Sequence, residues 1–169
     1  MPEDIFFEER LKNPEGDRQI PVDKLPLPMQ KPLQLARVLR GKDIDVDMIQ
    51  EFLYNDGNLT KELAFEILNR VHEVFGKEPN LIRIDGKVTI IGDVHGQFYD
   101  LYGILKKVHA PDKENEKLLF LGDYVDRGAY GVRIILLLFA LKLKFPNRII
   151  LLRGNHESRE MTEQFNFRE

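Results

Sequence analysis

Apolar and polar positions follow two different rhythms along this chain, and the change between them falls near residue 80. Before it, apolar residues recur at three- and four-residue spacings over 47–54 and again over 60–75, where Ala64, Ile67, Leu68, Val71 and Val74 or Phe75 mark one stripe. That spacing predicts two amphipathic helices. Thr60 is the expected N-cap of the second helix and Gly76 its expected C′ residue, with Asn55, Asp56 and Gly57 turning the chain between them.

After residue 80 the pattern becomes short, continuously apolar runs, each followed by a helical stretch. Residues 88–91 (Val-Thr-Ile-Ile) end in Gly92 and lead to a helix over 97–108. Residues 118–121 end in Gly122 and lead to a helix over 132–145, stopped by Pro146, while 149–152 end in Arg153 and Gly154 and 158–169 begin a third helix. Apolar strands alternating with helices predict an α/β arrangement, a parallel sheet covered on both faces.

Six of the nine prolines lie in the first 32 residues, where each fixes its own φ and pushes its predecessor out of the helical region. Residues 1–32 therefore read as an extended arm, either a solvated tail or one that seats Ile20, Val22, Leu25 and Leu27 in a groove of the body. Residues 33–80 form a helical segment packing on the α/β part, which occupies 81–169. The last residues, Phe167, Arg168 and Glu169, stop inside a helical pattern without a capping glycine or proline, so a truncated chain is expected.

Composition narrows the function classes. With 43% hydrophobic and 31% charged residues, the 169-residue chain fits a globular protein with a core rather than a disordered one. A net charge of −3 argues against a nucleic-acid or anionic-membrane binder working through bulk positive charge. The absence of cysteine excludes disulfides, thiolate zinc sites and a thiol nucleophile. The acidic start (Glu3, Asp4, Glu8, Glu9) is unlike a secretory signal, and the longest apolar run, 134–141, is far short of the roughly 18 residues of a membrane span. The expected location is cytoplasmic.

The chemistry is concentrated where the apolar runs end. Gly92-Asp93-Val94-His95-Gly96, Gly122-Asp123-Tyr124-Val125-Asp126-Arg127-Gly128 and Arg153-Gly154-Asn155-His156-Glu157 are separated by about one βαβ unit each, so they emerge at one edge of the sheet. That carboxyl edge is where ligands bind in open α/β sheets. Asp93 and His95, two apart, point the same way from an extended backbone. Oxygen and imidazole donors without sulfur suit iron, manganese or zinc. Gathering Asp93, Asp123 and Asp126 without cations would cost several kcal/mol in repulsion and desolvation. Arg127 and Arg153 flank the carboxylates, placed for an anionic substrate that a guanidinium grips through two oxygens. His72 reads as a partly buried structural histidine, and His109 as a helix-end residue interacting with the dipole and solvent.

The stretches GDVHGQFYDL, LGDYVDRG and LLRGNHE resemble the three signature motifs of the PPP family of metal-dependent serine/threonine protein phosphatases, and their surroundings are most similar to the calcineurin subfamily. The resemblance implies a metallophosphoesterase-like sandwich of sheets flanked by helices, with only the first βαβαβ half, the amino-terminal half of the catalytic domain, present in 81–169. It implies two metal ions, iron with zinc or manganese: Asp93 and His95 on one, Asp123 bridging both, Asn155 on the second. His156 is then the general acid that protonates the departing serine or threonine oxygen, oriented by Asp126. Arg127 binds phosphate oxygens, and Arg153 either touches substrate or supports its loop. Phosphoproteins are the implied substrates, and a calcineurin B-like regulatory subunit and calmodulin the implied partners through a missing carboxyl-terminal region.

The family completes its second metal site with two further histidines and adds another arginine, all downstream of the third motif, so weak or absent hydrolysis is expected of the chain by itself, and exposed apolar surface is expected because half a two-sheet core leaves faces uncovered. The alternatives are an inactive fragment or non-catalytic binding module, and a metallophosphoesterase acting on nucleotides or diadenosine polyphosphates.

Overall fold

The computed structural model describes residues 31–41, 43–108 and 116–168. The expectations for the arm up to residue 30, for the 109–115 loop and for His109 fall outside the described residues.

The first part begins with a one-turn helix α1 (Leu35–Val38) and a two-residue antiparallel pair, β1 (Leu39–Arg40) with β2 (Asp43–Ile44). Helices α2 (Val46–Tyr54) and α3 (Lys61–Phe75) follow. Both start where a side chain takes an orphan backbone N–H: Asp45 accepts from Met48 N, and Thr60 from Leu63 N, as expected for an N-cap. Between them it is Asp56, at φ 56°, that takes up the left-handed turn. Gly76 closes α3 in right-handed backbone, φ −62°, so the expected left-handed C′ glycine is not used.

Three strands then alternate with helices: β3 (Val88–Ile91), α4 (Phe98–Lys107), β4 (Lys117–Phe120), α5 (Gly131–Lys144) and β5 (Ile149–Leu151). The strands form one parallel sheet in the order β3-β4-β5, with Ile90 opposite Leu119 and Leu119 opposite Ile150. Helix α5 is the centre of the packing, touching α2, α3 and α4, and its Ile134, Leu137, Leu138 and Ala140 are fully buried. Its Lys142 is buried as well, its ammonium donating to Glu78 just beyond α3, and to the carbonyls of Pro146 and Ile149 at 2.8 Å each. All three protons are therefore placed, which is the condition for keeping such a charge out of water.

The sheet is covered fully on one side and only in part on the other, a correction to the expectation of full cover on both. Consecutive strands joined by right-handed crossovers put both connecting helices on the same face. On that face Leu118, Phe120 and Ile149 are buried; on the other, Ile150 is buried but Ile90 is 59% exposed, with Leu121 and Leu152 beyond the strand ends at 46% and 43%. The exposed apolar surface expected of the chain is thus present. No helix among the described residues is long and apolar enough to cross a membrane.

In chemical unfolding, Phe120→Ala is expected to cost about 3–5 kcal/mol through the cavity it leaves. Ile90→Ser, on the open face, is expected to stay within about 0.5 kcal/mol of the unchanged chain. Comparable losses for the two would contradict the uneven cover of the two faces.

Candidate metal centre

Because the three strands are parallel, their carboxyl ends deliver three loops to one edge. The first two loops are zipped together by backbone: Asp123 O accepts from Val94 N (3.1 Å) and His95 N (2.9 Å), Tyr124 O from Gly96 N (2.9 Å), and His95 O from Gly128 N (2.9 Å). The third loop, 152–157, is fastened by His156 N donating to Asp123 Oδ1 (2.9 Å) and by the Tyr124 hydroxyl donating to Leu152 O (2.7 Å). Burial pushes the Tyr124 phenol above its ordinary value, and the charges of Glu157 and Asp123 add to the shift, so the hydroxyl stays a donor.

So close an approach requires glycine. Gly122, at φ 111°, lies against the Gly154 backbone, and a Cβ on either residue would collide with the other loop. The same loops hold His95 (φ 35°), Asp123 (φ 53°), Asp126 (φ 66°) and Arg127 (φ 64°) in left-handed backbone. Such conformations cost roughly 1–3 kcal/mol each and persist only where the surroundings over-determine them. The sequence expectation that Asp93 and His95 converge from extended backbone is corrected here: they do converge, but through the turn at His95.

His95 supplies the sharpest observation. Its Nδ1 lies 2.8 Å from the carbonyl of Val125, which only accepts, so Nδ1 carries the proton. That leaves Nε2 with a bare lone pair in the neutral ring. Nε2 is buried without a hydrogen-bond partner among the described residues, and it faces Asp93 Oδ2 at 3.7 Å and Asp123 Oδ2 at 3.8 Å. The lone pair thus faces one oxygen of each carboxylate, an arrangement that a cation satisfies. Ligands about 2.1 Å from a common ion stand roughly 3–4 Å apart, the spacing found here. His156 joins this group: the donor atoms of His95, Asp123 and His156 all lie within 4.8 Å of one another. The residues present therefore fit a divalent ion.

Asp126 stands apart from that group, so the three carboxylates do not crowd together as expected. It is 1% exposed, with Oδ2 2.8 Å from His156 Nδ1 and Oδ1 accepting from Phe167 N at 2.9 Å. The imidazole of His156 is packed at 4.9 Å between ring centroids by Phe165. This explains why the expected third helix does not run on: α6 (Arg159–Gln164) ends, Phe165 goes extended at ψ −173° to reach the imidazole, and a 3₁₀ turn, Asn166–Arg168, brings Phe167 to Asp126. Arg127 is exposed beside Asp126. Arg153 turns back, donating from Nε (3.2 Å) and Nη2 (3.0 Å) to the Glu157 carbonyl. Asn155 opens the 3₁₀ turn Asn155–Glu157, between two residues that touch Asp123.

Sequence reasoning missed Phe165, Phe167 and Glu157 as site residues. Glu157 adjoins the third cluster, which was a usable signal; the two phenylalanines had none, since their role depends on where α6 breaks.

The description of the calcineurin-like phosphoesterase family matches residues 86–169, the stretch that carries all three loops. The chain belongs to this family. It is 42% identical over 120 residues to the serine/threonine-protein phosphatase 2B catalytic subunit A1 of Saccharomyces cerevisiae, an alignment covering 71% of this chain and 21% of that relative. A PP2A-like serine/threonine-protein phosphatase of the same yeast is 44% identical over 73% of the chain and 33% of its own length. The serine/threonine-protein phosphatase 4 catalytic subunit of Eremothecium gossypii is 39% identical over 73% and 39%. Among solved structures, a yeast protein serine/threonine phosphatase with similarity to human phosphatase PP5 superposes with a TM-score of 0.65 at 32% identity, over 72% of this chain and 40% of that one. The chain thus spans well under half the length of these relatives. The family resemblance read from the motifs holds, as does the α/β metallophosphoesterase fold, while the three curated relatives belong to several phosphatase types at similar identity.

Loop approach is separable from backbone strain. Gly41→Ala, also at positive φ but with open space around its Cβ, isolates the strain. Gly122→Ala is expected to lose about 1–3 kcal/mol more than Gly41→Ala in unfolding experiments, because its methyl group meets the Gly154 backbone. Equal losses would mean that the second and third loops do not touch.

Proposed function

We propose that this chain carries the catalytic loops of a serine/threonine protein phosphatase, hydrolysing phosphoserine and phosphothreonine esters. The observation that supports this most is the bare His95 Nε2 facing Asp93 and Asp123 beside a carboxylate-held His156. Asp93 and His95 would hold one ion, Asp123 would bridge, and Asn155 would contribute to a second; iron with zinc, or manganese, suits these donors. When bound, such ions lower the pKa of a coordinated water and neutralise charge on the phosphoryl oxygens.

The chain's own residues do the rest. Asp126 holds Nδ1 of His156, fixing the ring so that Nε2 can deliver a proton to the departing serine or threonine oxygen. A positioned acid of this kind is worth about 10²- to 10⁴-fold in rate. Phe165 and the Phe167 N–H keep ring and carboxylate from rotating away. Arg127, exposed at the rim, is available to two phosphoryl oxygens at once. Arg153, bonded to a carbonyl of its own loop, supports the loop instead. A calcineurin B-like regulatory subunit and calmodulin remain part of the proposal through the resemblance alone.

The test is manganese-supported release of phosphate from a phosphothreonine peptide, compared between the unchanged sequence, Asp93→Asn and His156→Ala. Each substitution is expected to lower turnover at least about hundredfold, the lower bound of general acid catalysis for His156. The ratio carries the test, so a slow absolute rate suffices. Turnover that neither change affects contradicts the proposal, and preference for a dinucleotide polyphosphate over the peptide would move the substrate class.

A further inference from the structure

The second and third loops meet over one carboxylate that belongs to neither the donor group nor the acid pair. Glu157 Oε2 accepts from Asp123 N at 2.8 Å and Gly154 N at 2.9 Å, and Oε1 accepts from Tyr124 N at 2.8 Å, with Val125 N at 3.4 Å. No Glu157 oxygen is in the cluster formed by His95, Asp123 and His156. We propose that Glu157 is a positioning residue: by clamping the backbone N–H groups of Asp123, Tyr124 and Gly154, it sets the affinity of the neighbouring donor group for a divalent cation. This rests on the metal site proposed above.

Asp123 is held at φ 53°, a conformation its neighbours must maintain, and the bond from its own N–H to Glu157 is one of the restraints. The clamp also seats the third loop, and only a seated third loop lets His156 N donate to Asp123 Oδ1 at 2.9 Å. That bond commits Oδ1 and turns Oδ2 toward His95 Nε2 at 3.8 Å. Glu157 thus determines which Asp123 oxygen faces the cation, through two hydrogen bonds in series. An isosteric amide cannot substitute, because it keeps one acceptor oxygen and turns an NH₂ toward backbone N–H donors. The unpaired N–H groups would then pull the loops apart to reach water.

The experiment is manganese titration and amide hydrogen exchange on the 169-residue chain, its Glu157→Gln and Glu157→Asp variants, and Arg159→Ala. Removing an outer partner of a metal ligand typically costs ten- to hundredfold in affinity. That loss is expected for Glu157→Gln and, since one methylene less withdraws the carboxylate, for Glu157→Asp. Arg159→Ala, which removes a side chain 91% exposed and leaves the carboxylate in place, is expected to bind within about threefold of the unchanged chain, a shift below that range. In the unchanged chain the Asp123, Tyr124 and Gly154 amides are expected to exchange as slowly as those of β4, and in Glu157→Gln to lose protection while β4 keeps its own. Fast exchange at those amides in the unchanged chain overturns the proposal without any variant. Unaltered affinity in a folded Glu157→Gln overturns it while leaving the metal site standing. No saturable manganese binding by the unchanged chain overturns the site itself, and this proposal with it.

Discussion

An imidazole nitrogen with a free lone pair and two carboxylate oxygens, held within 3.8 Å of it, repel one another unless a positive charge sits between them. Most of what is unusual in this chain serves to hold those atoms in that arrangement. The Val125 carbonyl fixes the His95 tautomer, the backbone zipper fixes the first two loops, and the glycine pair Gly122 and Gly154 brings the third within reach. The non-glycine residues at positive φ in these loops are the conformational cost of that convergence, and the parallel sheet beneath supplies the rigidity that offsets it.

The sheet and the site are consequences of one topology. Sequential parallel strands with right-handed crossovers send every strand end to one edge, which concentrates the chemistry, and both helices to one face, which leaves Ile90 bare. Helix α5 is apolar on nearly all sides because it is wrapped by α2, α3 and α4 and by the sheet, and Lys142 is tolerated there because Glu78 and two carbonyls take its protons.

Element types and positions were legible because their causes are local: apolar spacing for α3, a Thr60 cap, β-branched residues in β3. The residues that meet at the site were legible for a different reason, since Asp93, His95, Asp123 and His156 stand directly after strands whose parallel pairing the pattern already implied. Three things were not. Asp126 leaves the carboxylate group because a backbone N–H forty-one residues away, at Phe167, draws one of its oxygens. The left-handed turn at His95 follows from hydrogen bonds to the second loop, not from its neighbours in sequence. The uneven cover of the sheet's two faces depends on crossover handedness, which hydrophobic pattern does not carry.

The central claim is that the three loops gather around one cation-binding site. Manganese added to isotopically labelled chain, with relaxation broadening read amide by amide, addresses it most directly. Broadening is expected together at Asp93–Gly96, Asp123–Asp126 and Gly154–His156, with the amides at the opposite end of the sheet, near Val88 and Lys117, left sharp. Broadening confined to one of the three loops, or spread over surface carboxylates such as Asp47 and Glu62, would contradict it.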